Sequence, residues 1–237
     1  LRAKLEAGSW KLEANDHGWY QLRGKGLTSS FKLQASSFQP EFENQYLTET
    51  YMPDFKTLQL EFSANGVATL WLNRPEKNNA FNAEMIRELL LAFDEIESRS
   101  ELRFLVLRGR GKHFSAGADL TWMQESAKLD YNANLNDARE LAQVMASLYQ
   151  LKLPTLAVVQ GAAFGGALGL ISCCDMAIGA EDSLFSLSEV RIGILPAVIS
   201  PYVVKAIGER ATRRFALTAE RFDGSEAGLM GSLMRSR

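Results

Sequence analysis

Two short runs of small residues constrain this chain more than anything else in it. Residues 114–122 read Phe-Ser-Ala-Gly-Ala-Asp-Leu-Thr-Trp, and residues 161–169 read Gly-Ala-Ala-Phe-Gly-Gly-Ala-Leu-Gly. Each follows a strand-like apolar run and opens a helix-like one, so each reads as a tight strand-to-helix turn. Small side chains let the backbone at such a turn approach other groups closely. Taken singly, a glycine-rich run is most often a plain turn or a close helix contact. Two of them in one fold can aim two main-chain N–H groups at a single oxygen atom.

The pattern around the turns gives the fold class. Apolar residues alternate over 57–62 and 67–72 around Asn65-Gly66, which predicts a β-hairpin. Asn82 is placed to cap a helix running to about Glu97, with Met85, Leu89, Leu90, Phe93 and Ile96 on one face. A buried strand over 104–107 ends at Gly109, and a helix over 136–149 carries the stripe Leu141, Val144, Met145, Leu148. Pro154 precedes a strand over 155–159, an almost wholly apolar helix spans 165–174, and a further strand spans 176–179. Strand and helix alternate, so the class is α/β. Residues 1–51 show no persistent period, and Leu1 is not an initiator. The expectation is therefore a natural start at Met52, with 1–51 as an N-terminal extension and 52–237 as the main domain; a small accessory region is the alternative.

Composition excludes several function classes. A chain of 237 residues that is 46% hydrophobic can bury one sizeable core. A net charge of −2 argues against a nucleic-acid or anionic-membrane surface. No run is long and apolar enough for a membrane span, and no secretory layout opens the chain. The only cysteines, Cys173 and Cys174, are neighbours in an apolar run, which suits buried thiols in a reducing compartment. The expectation is a soluble, cytoplasmic protein. Residues 161–169 lack the spacing of a dinucleotide fingerprint, and Gly109-Arg110-Gly111-Lys112 is too short for a P-loop. There is no Gly-x-Ser-x-Gly elbow, and the only histidines are His17 and His113. A serine–histidine nucleophile, a metal site and a bound cofactor are all unexpected.

A third segment, Phe-Ser-Leu-Ser-Glu-Val-Arg-Ile-Gly at 185–193, sets Glu189 between apolar neighbours. A lone glutamate is usually a surface acid, but these surroundings could desolvate it and raise its pKa. A titratable carboxyl beside two main-chain donors suits acyl-thioester chemistry run through a stabilised enolate.

These residues also carry a resemblance. Leu-Asn-Arg-Pro-Glu-Lys-Asn-Asn-Ala-Phe-Asn (72–82), His-Phe-Ser-Ala-Gly-Ala-Asp-Leu, Gly-Ala-Ala-Phe-Gly-Gly-Ala, Cys-Cys-Asp-Met-Ala-Ile, Leu-Ser-Glu-Val-Arg-Ile-Gly and Ala-Leu-Thr-Ala-Glu-Arg-Phe-Asp follow one another in order. In this series the chain resembles the enoyl-CoA hydratase/isomerase (crotonase) superfamily, nearest to hydratases of the methylglutaconyl-CoA or carboxygeranoyl-CoA type. The resemblance implies a crotonase-type spiral of ββα turns and trimers that pair into hexamers. It implies an acyl-CoA substrate, with coenzyme A as part of that substrate, in branched-chain acid breakdown such as leucine degradation. By it, Ala118 and Gly166 donate the two oxyanion N–H groups and Glu189 exchanges a proton with the substrate or a bound water. Lys77, Asn78, Asn79 and Ala80, with Ala116, Gly117, Asp119 and Leu120, line the CoA path, and Gly169 belongs to the acyl site.

The chain departs from the pattern twice. Two-glutamate hydratases carry their first glutamate three residues after the second oxyanion glycine, and here that position is Gly169. Neither Asp119 nor Glu125 can be assigned the missing role. Hydration of a 2-enoyl-CoA is the expectation, with Δ3-Δ2-enoyl-CoA isomerisation by a single Glu and a catalytically dead assembly subunit as alternatives. The resemblance also implies further C-terminal helices beyond Arg237, so the chain is expected to be truncated.

Overall fold

Asn65-Gly66 reverses the chain between β4 (Leu58–Phe62) and β5 (Val67–Leu72), and the two strands pair antiparallel in the register Leu60↔Leu70. This hairpin opens the larger unit of a computed structural model that describes residues 54–231 together with 10–14, 19–24 and 33–34. The separate short strands β1 (Trp10–Ala14), β2 (Trp19–Gly24) and β3 (Leu33–Gln34) form an antiparallel sheet within a unit spanning Leu1–Met52. The sequence reading found no period there. In fact Trp-Lys-Leu-Glu-Ala at 10–14 does alternate, over a run short enough to escape notice among the surrounding Gly, Ser and charged residues. Met52, the expected start, lies outside the described residues.

In the unit Pro53–Ser236 the chain repeats one motion. From β5 it passes through an extended Phe81 into α1 (Ala83–Ser98) and returns in β6 (Phe104–Gly109). From β6 it passes through Ser115 and Ala118 into α2 (Leu120–Ser126) and α3 (Tyr131–Gln150), returning in β7 (Thr155–Val159). From β7 it passes through β8 (Ala162–Phe164) into α4 (Gly166–Cys173) and returns in β9 (Met176–Gly179). β10 (Leu184–Ser186), α5 (Ser200–Ile207), α6 (Glu209–Thr218), β11 (Phe222–Asp223) and α7 (Gly224–Leu229) follow. The large sheet has the order β4-β5-β6-β7-β9, parallel from β5 onward, and the small sheet has the order β11-β10-β8. Bridges Phe81↔Ala118 and Ser115↔Ala163 continue the small sheet backwards through the earlier turns. Each circuit thus leaves one strand in the large sheet, one extended segment beside the small sheet and one or two helices. The result is a mixed α/β spiral of ββα turns.

The helices form where apolar spacing and caps agree. The Asn82 side chain accepts from the Met85 N–H at 2.9 Å, and Met85, Ile86, Leu89, Phe93 and Ile96 are at most 1% exposed. Each such burial is worth about 1.5–3 kcal/mol. α3 begins earlier than its apolar stripe predicts, because Asp130 caps it by accepting from Ala133 and a polar first turn follows. α4 is buried on every side, at Ala167, Leu168, Gly169, Leu170, Ile171 and Cys173. Asp175, in the Cys-Cys-Asp run, ties β7 to β9 by accepting from both the N–H and the hydroxyl of Thr155. Cys173 and Cys174 are free thiols, and burial pushes Cys174 up to about 12 and Cys173 higher still. No helix among the described residues is long and apolar enough to cross a membrane.

Candidate active site

The small sheet brings together what the sequence separates. Ser115 borders it through its bridge to Ala163 of β8: its hydroxyl donates to the Asn79 carbonyl at 2.8 Å and accepts from the Gly117 N–H at 3.2 Å. Phe81 donates its N–H to the Gly117 carbonyl and accepts from the Asp119 N–H, both at 2.8 Å. Those two bonds use the groups on either side of Ala118 and turn the Ala118 N–H away from Phe81, since the C=O of Gly117 and the N–H of Ala118 point opposite ways in one planar trans peptide. Ala118 itself is exposed.

The second turn packs directly on the first. A Cβ on Gly117 would stand 2.8 Å from the Phe164 carbonyl and 3.9 Å from the Gly165 Cα, and Gly117 adopts φ +88°. Gly165, at φ 53° and ψ −121°, lies in a region closed to side-chain-bearing residues and hands the chain into α4. The Gly166 N–H, first of that helix, has no intrahelical partner. Among the described residues neither it nor the Ala118 N–H finds a main-chain acceptor. Phe81 closes the floor, its ring edge 3.2 Å from where a Cβ on Gly166 would stand.

Glu189 completes the constellation. It begins a 3-10 turn, Glu189–Ile192, and its Oε1 lies 3.1 Å from the position a Cβ on Gly165 would take. Its Oε2 is buried with no hydrogen-bond partner. Burial raises its pKa above the ordinary 4.5, outweighing the opposing bond from its own main-chain N–H. A carboxyl that is costly to ionise, with an unused oxygen, is suited to taking up and returning a proton.

The arrangement can be set against known proteins. Residues 63–235 match the family described as enoyl-CoA hydratase/isomerase. The chain belongs to the enoyl-CoA hydratase/isomerase family. It is 33% identical over 194 residues to a hydroxycinnamoyl-CoA hydratase-lyase of Pseudomonas fluorescens, covering 79% of this chain and 68% of that protein. The crystal structure of an enoyl-CoA hydratase from Shewanella pealeana superposes with a TM-score of 0.74 at 48% identity, over 76% of this chain and 68% of that one. AtuE of Pseudomonas aeruginosa gives a TM-score of 0.73 at 38% identity, over 76% of this chain and 69% of that one.

In this family member the loops expected along the CoA path are stitched to each other. Ala116 donates to the Asn78 carbonyl at 2.9 Å, and Ser115 reaches Asn79. Lys77 and Asn78 are exposed, Asn78 and Asn79 take left-handed conformations, and Ala80 is 7% exposed. Leu120 opens α2 at 69% exposure.

Three expected binding residues have their side chains, or side-chain space, engaged inside the protein instead. Asn79 is fully buried; its Oδ1 accepts from the Arg74 N–H, and its Nδ2 donates to the carbonyls of Arg110 and His113. Asp119 pairs with Arg74 at 3.0 Å and caps α2. Burial alone would raise its pKa, but the Arg74 bond, the Thr121 N–H and the Arg74 charge together hold it below the ordinary 3.8. Gly169 lines no open space: a Cβ there would stand 2.3 Å from Ile199 Cγ2 and 3.0 Å from Met145 Cε. The space that a side chain at residue 169 would enter first is therefore filled by apolar side chains.

The sequence reading missed Phe81, Ser115 and Ile199. Phe81 and Ser115 stand inside the quoted motifs, so position alone could have flagged them, whereas nothing local links Ile199 to Gly169. His113 accepts the Ala162 N–H at its Nδ1, 3.0 Å away, which places its proton on Nε2 and gives it a supporting place in the turn. Among the described residues no His, Cys, Asp and Glu side chains gather as a metal site.

Proposed function

We propose that the protein adds water to a 2-enoyl-CoA, with Glu189 as the sole carboxyl and the N–H groups of Ala118 and Gly166 as donors to the thioester oxygen. The observation that carries this reading is the Glu189 carboxyl, whose Oε2 is buried and unpartnered and whose Oε1 borders the Gly165 turn. In the addition, the Glu189 carboxylate takes a proton from water as the water oxygen bonds to Cβ. The electron pair moves through Cα to the thioester oxygen, giving an enolate held by the two N–H groups. The enolate then collapses and Cα takes the proton back from the Glu189 carboxyl, so one carboxyl serves both transfers and the atoms of water are all accounted for. Dehydration is the reverse. Loss of one such main-chain donor typically costs about 2.7–4 kcal/mol in the barrier.

Within this chemistry we place the substrate among branched 2-enoyl-CoA thioesters, 3-methylglutaconyl-CoA first, on the strength of the motif resemblance. The hydroxycinnamoyl-CoA hydratase-lyase relative makes an aromatic enoyl-CoA the natural competitor in the same assay. The working form we propose is a cytoplasmic homotrimer or homohexamer, supported by exposed Leu195, Leu217 and Leu229, each above 70% exposed.

A second reading has its own observation. Ile199 and Met145 fill the space that a side chain at residue 169 would need, so no second acid stands there. A single carboxyl favours Δ3-Δ2-enoyl-CoA isomerisation, in which Glu189 carries one proton between two carbons. Incubating the protein with a 2-enoyl-CoA and, separately, a 3-enoyl-CoA tests both. Hydrated product from the 2-enoyl thioester supports the first reading, and double-bond migration without water addition supports the second. If neither is consumed, and Glu189→Gln changes nothing, the protein is a non-catalytic member of the fold.

A further inference from the structure

Glu189 stands on a weak support. Its 3-10 turn is a single turn with no buried residue, and Val190 and Ile192 within it are 38% and 52% exposed. Its main-chain bonds are short-range: Arg191 N–H to Ser188, Gly193 N–H to Glu189 and Val190, and Ile194 N–H to Glu189. Such turns have poor hydrogen-bond geometry and little stability of their own. Yet a carboxyl that transfers protons must be held to a fraction of an ångström.

The anchor comes from one carbonyl. Ala219, fully buried, ends α6 in a left-handed conformation at φ 49°, which turns its C=O out of the helix. That oxygen accepts from the Ser186 hydroxyl at 3.1 Å and from Arg191 Nη2 at 2.9 Å. Ser186 precedes Glu189 and Arg191 follows it, so both flanks of the carboxylate are tied to one point. The point is firm, because Phe215 of α6 packs on Phe222 at 4.2 Å between ring centroids, and Phe222 stacks on Phe185 at 5.4 Å. A guanidinium at the C-terminal end of α6 also meets the negative end of the helix dipole. The Glu189 carboxyl itself is raised by burial, against the opposing bond from its own main-chain N–H.

We propose that the Ala219 carbonyl is the clamp that positions Glu189, with Arg191 and Ser186 as its two positioning residues. The proposal rests on Glu189 being the proton-transferring group. Neither side chain touches the reacting atoms; each fixes the turn that carries the carboxyl.

Arg191→Met, Arg191→Lys and Ser186→Ala test it on the whole protein, beside Glu189→Gln, using whichever enoyl-CoA the wild type consumes. Arg191→Met should lower kcat about ten- to a hundredfold with KM within about twofold, the range seen when a reacting group is displaced. The limb of the pH–kcat profile that reports Glu189 should move to lower pH as the loosened carboxyl gains water. Arg191→Lys, which keeps one cationic donor, should recover part of both effects, and Ser186→Ala should reproduce them more weakly. Wild-type kcat and an unmoved limb in folded Arg191→Met would overturn the clamp, as would a loss that tracks the unfolded fraction. Should Arg191→Met not fold, Ser186→Ala decides by the same two readings. If Glu189→Gln itself keeps wild-type turnover, the proton-transfer assignment falls first and the clamp with it.

Discussion

The Glu189 carboxylate occupies the space that a side chain on Gly165 would need: Oε1 lies 3.1 Å from where that side chain would begin. Gly165 also holds φ 53° and ψ −121°, which only glycine adopts without strain. Gly165→Ala should therefore cost about 1–3 kcal/mol in backbone strain alone and push the carboxyl off the turn. Thermal unfolding should show a lower Tm, and turnover should fall by more than the unfolded fraction explains.

Gly169 makes a related prediction with a partner. A methyl there meets Ile199 Cγ2 at 2.3 Å, so Gly169→Ala should destabilise by about 1–3 kcal/mol through overpacking. Adding Ile199→Ala should relieve most of that cost, giving a coupling of opposite sign in a double-mutant cycle read by denaturant unfolding. Additive losses would mean that the two residues do not compete for one space.

The Arg74–Asp119 pair predicts an acid-side effect. Both side chains are little exposed, at 13% and 11%, so Asp119→Ala should cost about 3 kcal/mol by leaving the guanidinium unpaired. The Asp119 pKa is lowered in the folded state, so the folded protein binds its proton less tightly than the unfolded chain does. Its stabilisation is present above the ordinary 3.8 and is lost as pH falls below that through the depressed value. The stability gap between wild type and Asp119→Ala should shrink over that acid window.

Glu189 has the opposite sign. Its pKa is raised by burial, so its contribution to stability is full below the ordinary 4.5 and is lost as pH rises through the raised value. Glu189→Gln, uncharged at every pH, should match wild type near pH 4 and unfold at a higher temperature than wild type near pH 8. Equal Tm values at both pH values would show that the carboxyl is not desolvated.

What the sequence made legible follows from which signals are local. Asn65-Gly66, the Asn82 cap, Pro154 ahead of β7 and the apolar run of α4 each act within a few residues, and the elements they predict are present. The three-residue β8 was hidden inside a glycine-rich run, because its pairing is with β10 and, through one bridge, with Ser115. The helices α5 and α6 follow a segment whose apolar residues are mostly exposed, so no stripe announces their start. At the site, the two turns and Glu189 were readable as residue types. That Ile199 fills the space beside Gly169, and that Asn79 spends its amide on two carbonyls, depends on contacts between residues far apart in the chain.

The most direct measurement is exchange of the substrate α-hydrogen. The protein would be incubated in D2O with the 3-hydroxyacyl-CoA or 3-enoyl-CoA that it turns over, and deuterium at Cα followed by NMR or mass. An enolate held by Ala118 and Gly166, with Glu189 moving the proton, predicts ready exchange in wild type. In Glu189→Gln, with the fold intact, exchange should slow by about 10²–10⁴-fold, the span a positioned acid–base group contributes. Exchange at the wild-type rate in Glu189→Gln would contradict the assignment of that carboxyl to the chemistry.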